Sequence, residues 1–308
     1  MVVVALLAAA AMYLSRQREE LARLGDLSIG LLIATGILQV GAQVFLNASF
    51  LLPLRHCVTP LGFWELHLVR TGGFFVGSLV PVAGGLAVRL AYLRTRGLTY
   101  ADFTWATLLS NVLALHAAAV LAVVAAAVLW MRVGPLPWGV LAVCGGVLGV
   151  SVAMVAAFEF LPRWSRHPRL ARWRWLADMK GLAASRPLVI RVFGWSLLRH
   201  VANFITFGLL YHALSGAPAL APGQPAERPD VFLAGGLVYA LTSPIRMINV
   251  TPGNLGVVEW FVALVGRMVQ FDVATGLIVS LAFRGVALVA QGVTAALGGV
   301  WMVSRGRA

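Results

Sequence analysis

The sequence predicts an all-α integral membrane protein: a polytopic helix bundle made of two inverted-topology repeats, each containing a broken, re-entrant helical hairpin. Three observations carry that expectation. Of 308 residues, 60% are hydrophobic and only 11% are Asp, Glu, Lys or Arg, less than half the share of about 25% usual in soluble domains, and the mean hydropathy is +0.88. Apolar runs of the length needed to cross a bilayer, about 20 residues, recur along the chain. Two more apolar runs are interrupted by proline and glycine at comparable places in the two halves. The first observation excludes soluble enzymes, disordered chains and disulfide scaffolds, because so little polar surface cannot keep a globule of this size in water.

Six runs read as plain spans: residues 1–14, 27–52, 103–130, 136–161, 188–214 and 273–303. The first is short and has no basic flank ahead of it, so it reads as a minimal span or a truncated start rather than a cleaved signal peptide. Residues 63–89 are broken by Gly72-Gly73, Pro81 and Gly84-Gly85, and residues 231–268 by Pro244, Pro252, Gly253 and Gly256. Proline removes an amide donor and clashes with the preceding turn, so each run is expected to form two half-helices with unwound backbone between them. Lipid cannot satisfy that backbone, which must be buried in protein or line a wet cavity. Repeat-built transporters hold their substrates at such breaks. Gly84-Gly85-Leu86-Ala87-Val88 also matches Gly253-Asn254-Leu255-Gly256-Val257 weakly, a similarity that small residues in membrane helices produce readily by chance.

Orientation follows from charge. The 24 Lys and Arg exceed the 11 Asp and Glu by 13, and Lys180 is the only lysine. In a membrane protein such a surplus marks cytoplasmic loops facing anionic lipid. Residues 163–191 hold the densest run of it and are assigned to the cytoplasm, with the region of Arg89, Arg94 and Arg96 and the tail carrying Arg305 and Arg307 on the same side. The Pro-rich stretch 217–229 is then external, and only Arg16, Arg18 and Arg23 violate the rule. The first broken hairpin dips from the cytoplasm and the second from outside. The halves are residues 1–161 and 187–308, joined by a cytoplasmic segment 162–186 whose Trp175, Leu176, Met179 and Leu182 share a helical face suited to the lipid interface.

Ionisable groups inside spans default to functional candidates. Arg89, Arg246, Glu259, Arg267 and Arg284 lie near breaks or mid-span, with Asn111, Asn203, Asn249, Asn254 and Gln291 as polar company. Four arginines against one carboxylate call for an external anion, since unpaired buried guanidinium is costly; a phosphate suits arginine forks and half-helix N-termini. The plainer alternatives are that Arg89 and Arg267 snorkel to headgroups and that Arg284 pairs internally with Glu259. Enzymatic signatures are lacking: no carboxylate pair, metal-ligand spacing or glycine-rich phosphate loop occurs, and no cofactor or metal is expected. Cys57 and Cys144 read as small buried hydrophobes. His200 and His212 read as hydrogen-bonded structural residues before proton relays.

The broken segments resemble a known family, the transmembrane flippase-like region of bacterial lysylphosphatidylglycerol synthases and its stand-alone relatives. The resemblance rests on Gly73-Phe74-Phe75, Ser78, Pro81, Gly84 and Arg89 in the first half, and on Thr251-Pro252-Gly253, Gly256 and Glu259, followed by Arg284, in the second. It implies one flippase-like domain over residues 1–308 that moves an anionic, aminoacylated or polyprenyl-linked lipid between leaflets of the bacterial cytoplasmic membrane. Pro81, Gly84, Arg89, Pro252, Gly253, Gly256, Glu259 and Arg284 carry over. Ser110-Asn111 departs from an acidic residue followed by arginine in relatives, and the aminoacyl-transferase domain is absent, so no lysyl transfer is implied. The expected headgroup site joins Arg89, Glu259, Arg284, Arg246 and Asn254 to the breaks at Pro81, Gly84, Gly85, Pro252, Gly253 and Gly256. Expected partners are membrane lipids, not nucleic acid, together with a second copy of the chain or a lipid-modifying enzyme. The alternative function is a non-transporting subunit that scaffolds such an enzyme; an intramembrane lipid transferase is the weakest.

Overall fold

The computed structural model describes residues 22–25, 27–57, 61–79, 84–164, 186–215, 229–247 and 256–304. The expected first span 1–14, the amphipathic segment 165–185, the loop 216–228 and the breaks at Pro81 and 248–255, with Pro252, Gly253 and Asn254, lie outside them. Among the described residues the regular structure is all helical, without strands: α1 Ile29–Cys57, α2 Phe63–Leu79, α3 Gly84–Thr95, α4 Tyr100–Val133, α5 Trp138–Trp164, α6 Arg186–Leu214, α7 Pro229–Thr242, α8 Val257–Met268 and α9 Val273–Ser304, with a 3-10 turn Ser243–Met247 after α7. Five of them, α1, α4, α5, α6 and α9, contain segments long and apolar enough to cross a membrane.

Local chemistry sets the ends. Ser28 Oγ accepts the Leu31 amide at the start of α1. Thr99 and Asp102 form a reciprocal capping box ahead of α4. At the end of α4, Gly134 takes φ +90°. Helix α1 runs past Pro53, where the apolar run was expected to stop. Pro53 has no amide to give the Ser49 carbonyl one turn back; the Ser110 hydroxyl of α4 donates to that oxygen instead, at 3.3 Å. The 3-10 turn carries Pro244, so α7 stops where that proline predicted.

Pairwise contacts fix the helix directions. Helices α1 and α6 run antiparallel: Gln39 meets Asn203 and Thr206, while Phe45 stacks on Trp195. The C-terminus of α1 thus shares one end of the bundle, the near end, with the N-terminus of α6. Helix α9 passes α2 in the opposite sense, with His67 Nε2 2.9 Å from Thr294 Oγ1 and Trp64 against Gly298. Helix α2 enters from the near end and α3 returns to it, since Arg96 pairs with Glu65 at 2.6 Å and the Tyr92 hydroxyl donates to the same carboxylate. Helices α7 and α8 do the same from the far end: Gly208 and Gly235 receive Phe232 and Tyr211, and Tyr211 stacks on Phe271 just beyond α8.

Each hairpin has its own core. Phe50, Leu54, Leu66, Leu93, Phe103 and Val192 pack around α2 and α3, whereas Phe207, Tyr211, Leu237, Tyr239, Val262 and Leu277 pack around α7 and α8. Packing between the halves is reciprocal. Helix α2 rests on α9 and α7 rests on α4, while α1 packs on α9 and α6 packs on α4. At 1.5 Å per residue, α3 and α8, 12 residues each, reach about 18 Å, short of the roughly 30 Å hydrocarbon core.

Candidate functional site

Glu259 lies in the first turn of α8 and is 2% exposed. Its placement begins with Gly256, which precedes α8 at φ +81°, a left-handed conformation that glycine adopts without steric cost. That conformation aims the Gly256 amide at Glu259 Oε2, 2.7 Å away. The other carboxylate oxygen takes Arg284 Nη2 of α9 at 2.6 Å. The internal pairing weighed for Arg284 is therefore present, and both oxygens of this buried acid carry charge-assisted contacts.

Arg246 lies in the 3-10 turn. Its guanidinium lies 5.2 Å from the Phe207 ring, 5.8 Å from Tyr239 and 5.1 Å from Phe283, an aromatic cage of the kind that stabilises a desolvated cation. It also lies within the electrostatic field of Glu259, Arg284 and Arg199. Arg246, Glu259 and Arg284, three of the residues expected at one headgroup site, thus lie together. Arg267 is exposed at the end of α8, outside the cluster.

Tyr239 ties this cluster to a buried polar network. Its hydroxyl accepts Asn203 Nδ2 at 2.9 Å and hydrogen-bonds His200 Nδ1 at 2.9 Å. Gln39 Nε2 donates to Asn203 Oδ1 at 2.9 Å and to Thr206 Oγ1 at 3.1 Å. Three helices, α1, α6 and α7, are thereby fixed in register, because a buried donor or acceptor without a partner costs about 1–3 kcal/mol. His200 is hydrogen-bonded within this network.

Arg89 stands elsewhere. Its Nε donates to the Gly85 carbonyl one turn back, at 3.0 Å. Its stem passes Gly73 of α2, where a Cβ would stand 2.7 Å from the Gly85 carbonyl and 3.1 Å from Arg89 Cγ. Arg89 and Arg70 both face the ring of Phe50, at 6.0 and 5.1 Å, and Arg70 feels the like charges of Arg89 and Arg199. Arg70 and Arg199 were not singled out from the sequence. Arg70, inside the broken run 63–89, had the same signal as Arg89.

An apolar groove of about 690 Å³ opens between α1 and α9. Leu32, Ile33, Ile37, Val286 and Val289 line it, on the face of α9 turned away from Arg284.

A family model described as the lysylphosphatidylglycerol synthase TM region matches residues 1–295. No curated protein and no solved structure matches the chain.

Proposed function

The chain belongs to the family of the lysylphosphatidylglycerol synthase transmembrane region, and from that membership we propose that it carries an anionic lipid between the leaflets of a bacterial cytoplasmic membrane, without transferring a chemical group. One observation carries the proposal: Arg246, Arg284 and the buried Glu259 gather positive charge among apolar helices, a setting that suits a lipid phosphate. Glu259 holds Arg284 until the lipid arrives.

The inverted repeat belongs to the same proposal. Exchanging α1 with α6, the α2–α3 hairpin with the α7–α8 hairpin, and α4 with α9 preserves the packed pairs that these helices make between the halves, while α5, which touches α7 and α8, has no counterpart. The two hairpins start and finish at opposite ends of the bundle, which supports re-entry from opposite membrane faces. The near end carries Arg94 and Arg96 and joins the arginine-rich 163–191 segment, which favours a cytoplasmic position.

Reconstitution into vesicles with fluorescently labelled phosphatidylglycerol tests transport. Leaflet exchange above empty vesicles that falls at least about tenfold in Arg284→Ala is expected; exchange no faster than in empty vesicles overturns transport and leaves the scaffolding subunit. Single cysteines introduced at 183 and 217 should be labelled from opposite sides, and labelling from one side ends the inverted repeat.

A further inference from the structure

The Glu259 cluster does not account for all the buried positive charge. Arg70 of α2, Arg89 of α3 and Arg199 of α6 form a second group at the first hairpin. The guanidinium groups of Arg70 and Arg89 share the Phe50 ring, and Arg199 lies within the field of Arg70. Acceptors among the described residues take little of their donor capacity: Arg70 Nη1 gives one bond to the Leu46 carbonyl at 3.0 Å, and Arg89 Nε one to Gly85. Arg70 Nε is buried without a hydrogen-bond partner among them. A guanidinium has five N–H donors.

Among the described residues no carboxylate pairs with any of the three. Glu65 is held by Arg96 and Tyr92 at the near end of the hairpin, Asp102 closes its own helix start, and Glu259 faces Arg284. Three like charges in a desolvated setting repel one another strongly and persist where an anion joins them. The group also discriminates between anions. A phosphodiester bearing an aminoacyl group brings an ammonium with it, and here that ammonium would meet guanidinium groups and an aromatic ring, with no acid among the described residues to receive it.

We propose that Arg70, Arg89 and Arg199 bind a lipid phosphate carrying two or more negative charges, a phosphomonoester or diphosphate, and reject an aminoacylated lipid. The inference rests on the lipid-headgroup reading above and names the substrate class. Phe50 supplies a flat wall shared by two of the forks, and Gly73 allows α3 close enough for Arg89 to reach it.

The test is equilibrium binding to the full chain in detergent, with phosphatidic acid, phosphatidylglycerol, lysyl-phosphatidylglycerol and inorganic pyrophosphate as separate probes. Phosphatidic acid should bind at least about tenfold tighter than phosphatidylglycerol, and lysyl-phosphatidylglycerol should bind weakest. Arg89→Gln and Arg199→Gln should each weaken phosphatidic acid at least about tenfold, and Arg89→Lys should restore part of the loss. Lysyl-phosphatidylglycerol binding as tightly as phosphatidic acid overturns the inference while the lipid reading stands. Unchanged affinity in folded Gln variants overturns the site, and pyrophosphate equal to phosphatidic acid replaces the lipid with a free anion. If none of the lipids binds, the lipid reading falls as well. The selectivity order is read on the unmodified chain and decides the question even where a variant fails to fold.

Discussion

Replacing Glu259 by Gln separates two things that the carboxylate does. The amide keeps an oxygen for the Gly256 N–H, now at 2.7 Å, so the cap on α8 survives in weaker form. The charge is lost, and with it the counter-ion of Arg284 at 2.6 Å and the attraction felt by Arg246. Leaving one member of a buried pair uncompensated costs about 3–5 kcal/mol; the retained cap and the 23% exposure of Arg284 place the expectation at the low end, about 3 kcal/mol. Arg284→Gln should cost less, because Glu259 then still has the Gly256 amide and the field of Arg246. The double variant should recover about 1.5–3 kcal/mol relative to the sum of the singles. Thermal unfolding of the four proteins in one detergent measures this. Binding moves oppositely in the two variants: removing the acid opens Arg284 to phosphate, so Glu259→Gln should bind phosphatidylglycerol more tightly while Arg284→Gln binds it less. Additivity within about 0.5 kcal/mol, or a loss of lipid affinity in both, would refute the view of Glu259 as a stand-in for a headgroup.

Two further outcomes concern the scaffold around the sites. Gly73→Ala places a Cβ 2.7 Å from the Gly85 carbonyl, so α2 and α3 must separate; a loss of about 1–3 kcal/mol is expected in thermal unfolding, with weaker lipid binding through Arg89, and a variant as stable as the parent would mean that the hairpin yields freely. Tyr239→Phe removes the hydroxyl shared by His200 and Asn203, stranding two buried groups at about 1–3 kcal/mol each; a change in unfolding free energy below about 0.5 kcal/mol would mean that water replaces the phenol.

The spans were legible because hydropathy and length are what a bilayer selects, and α4, α6 and α9 match the expected runs within three residues at either end. The stop at Pro244 was legible because proline acts locally. The passage of α1 beyond Pro53 was not, since its remedy, the Ser110 hydroxyl, lies 61 residues away in sequence. Glu259, Arg284 and Arg246 were legible as charges among apolar residues, and Arg70 could have been found in the same way. Arg199 was noted only as the neighbour of His200. Its relation to Arg70 is an electrostatic one between residues of α2 and α6, which no local pattern encodes. Tyr239, the hub of the polar network, looks in sequence like any aromatic in an apolar run.

The two hairpins are alike in backbone and unlike in charge, and that difference bears on how a headgroup would be held. Both enter from an end of the bundle, fold back, and present an ionisable side chain within two turns of the start of the second helix, Arg89 in α3 and Glu259 in α8. Because the signs are opposite, the second hairpin can neutralise Arg284 by itself, whereas Arg70, Arg89 and Arg199 have no acid among the described residues to do so. An anion arriving at the far cluster must displace a carboxylate from a 2.6 Å contact; one arriving at the near cluster competes, among the described residues, with the Leu46 and Gly85 carbonyls. Equal affinity for the same phosphate at both sites would require the Glu259 contact to count for nothing. On the proposed reading, a lipid phosphate would rest at the first hairpin and meet a guarded site at the second, with Arg199 in the field of both Arg70 and Arg246.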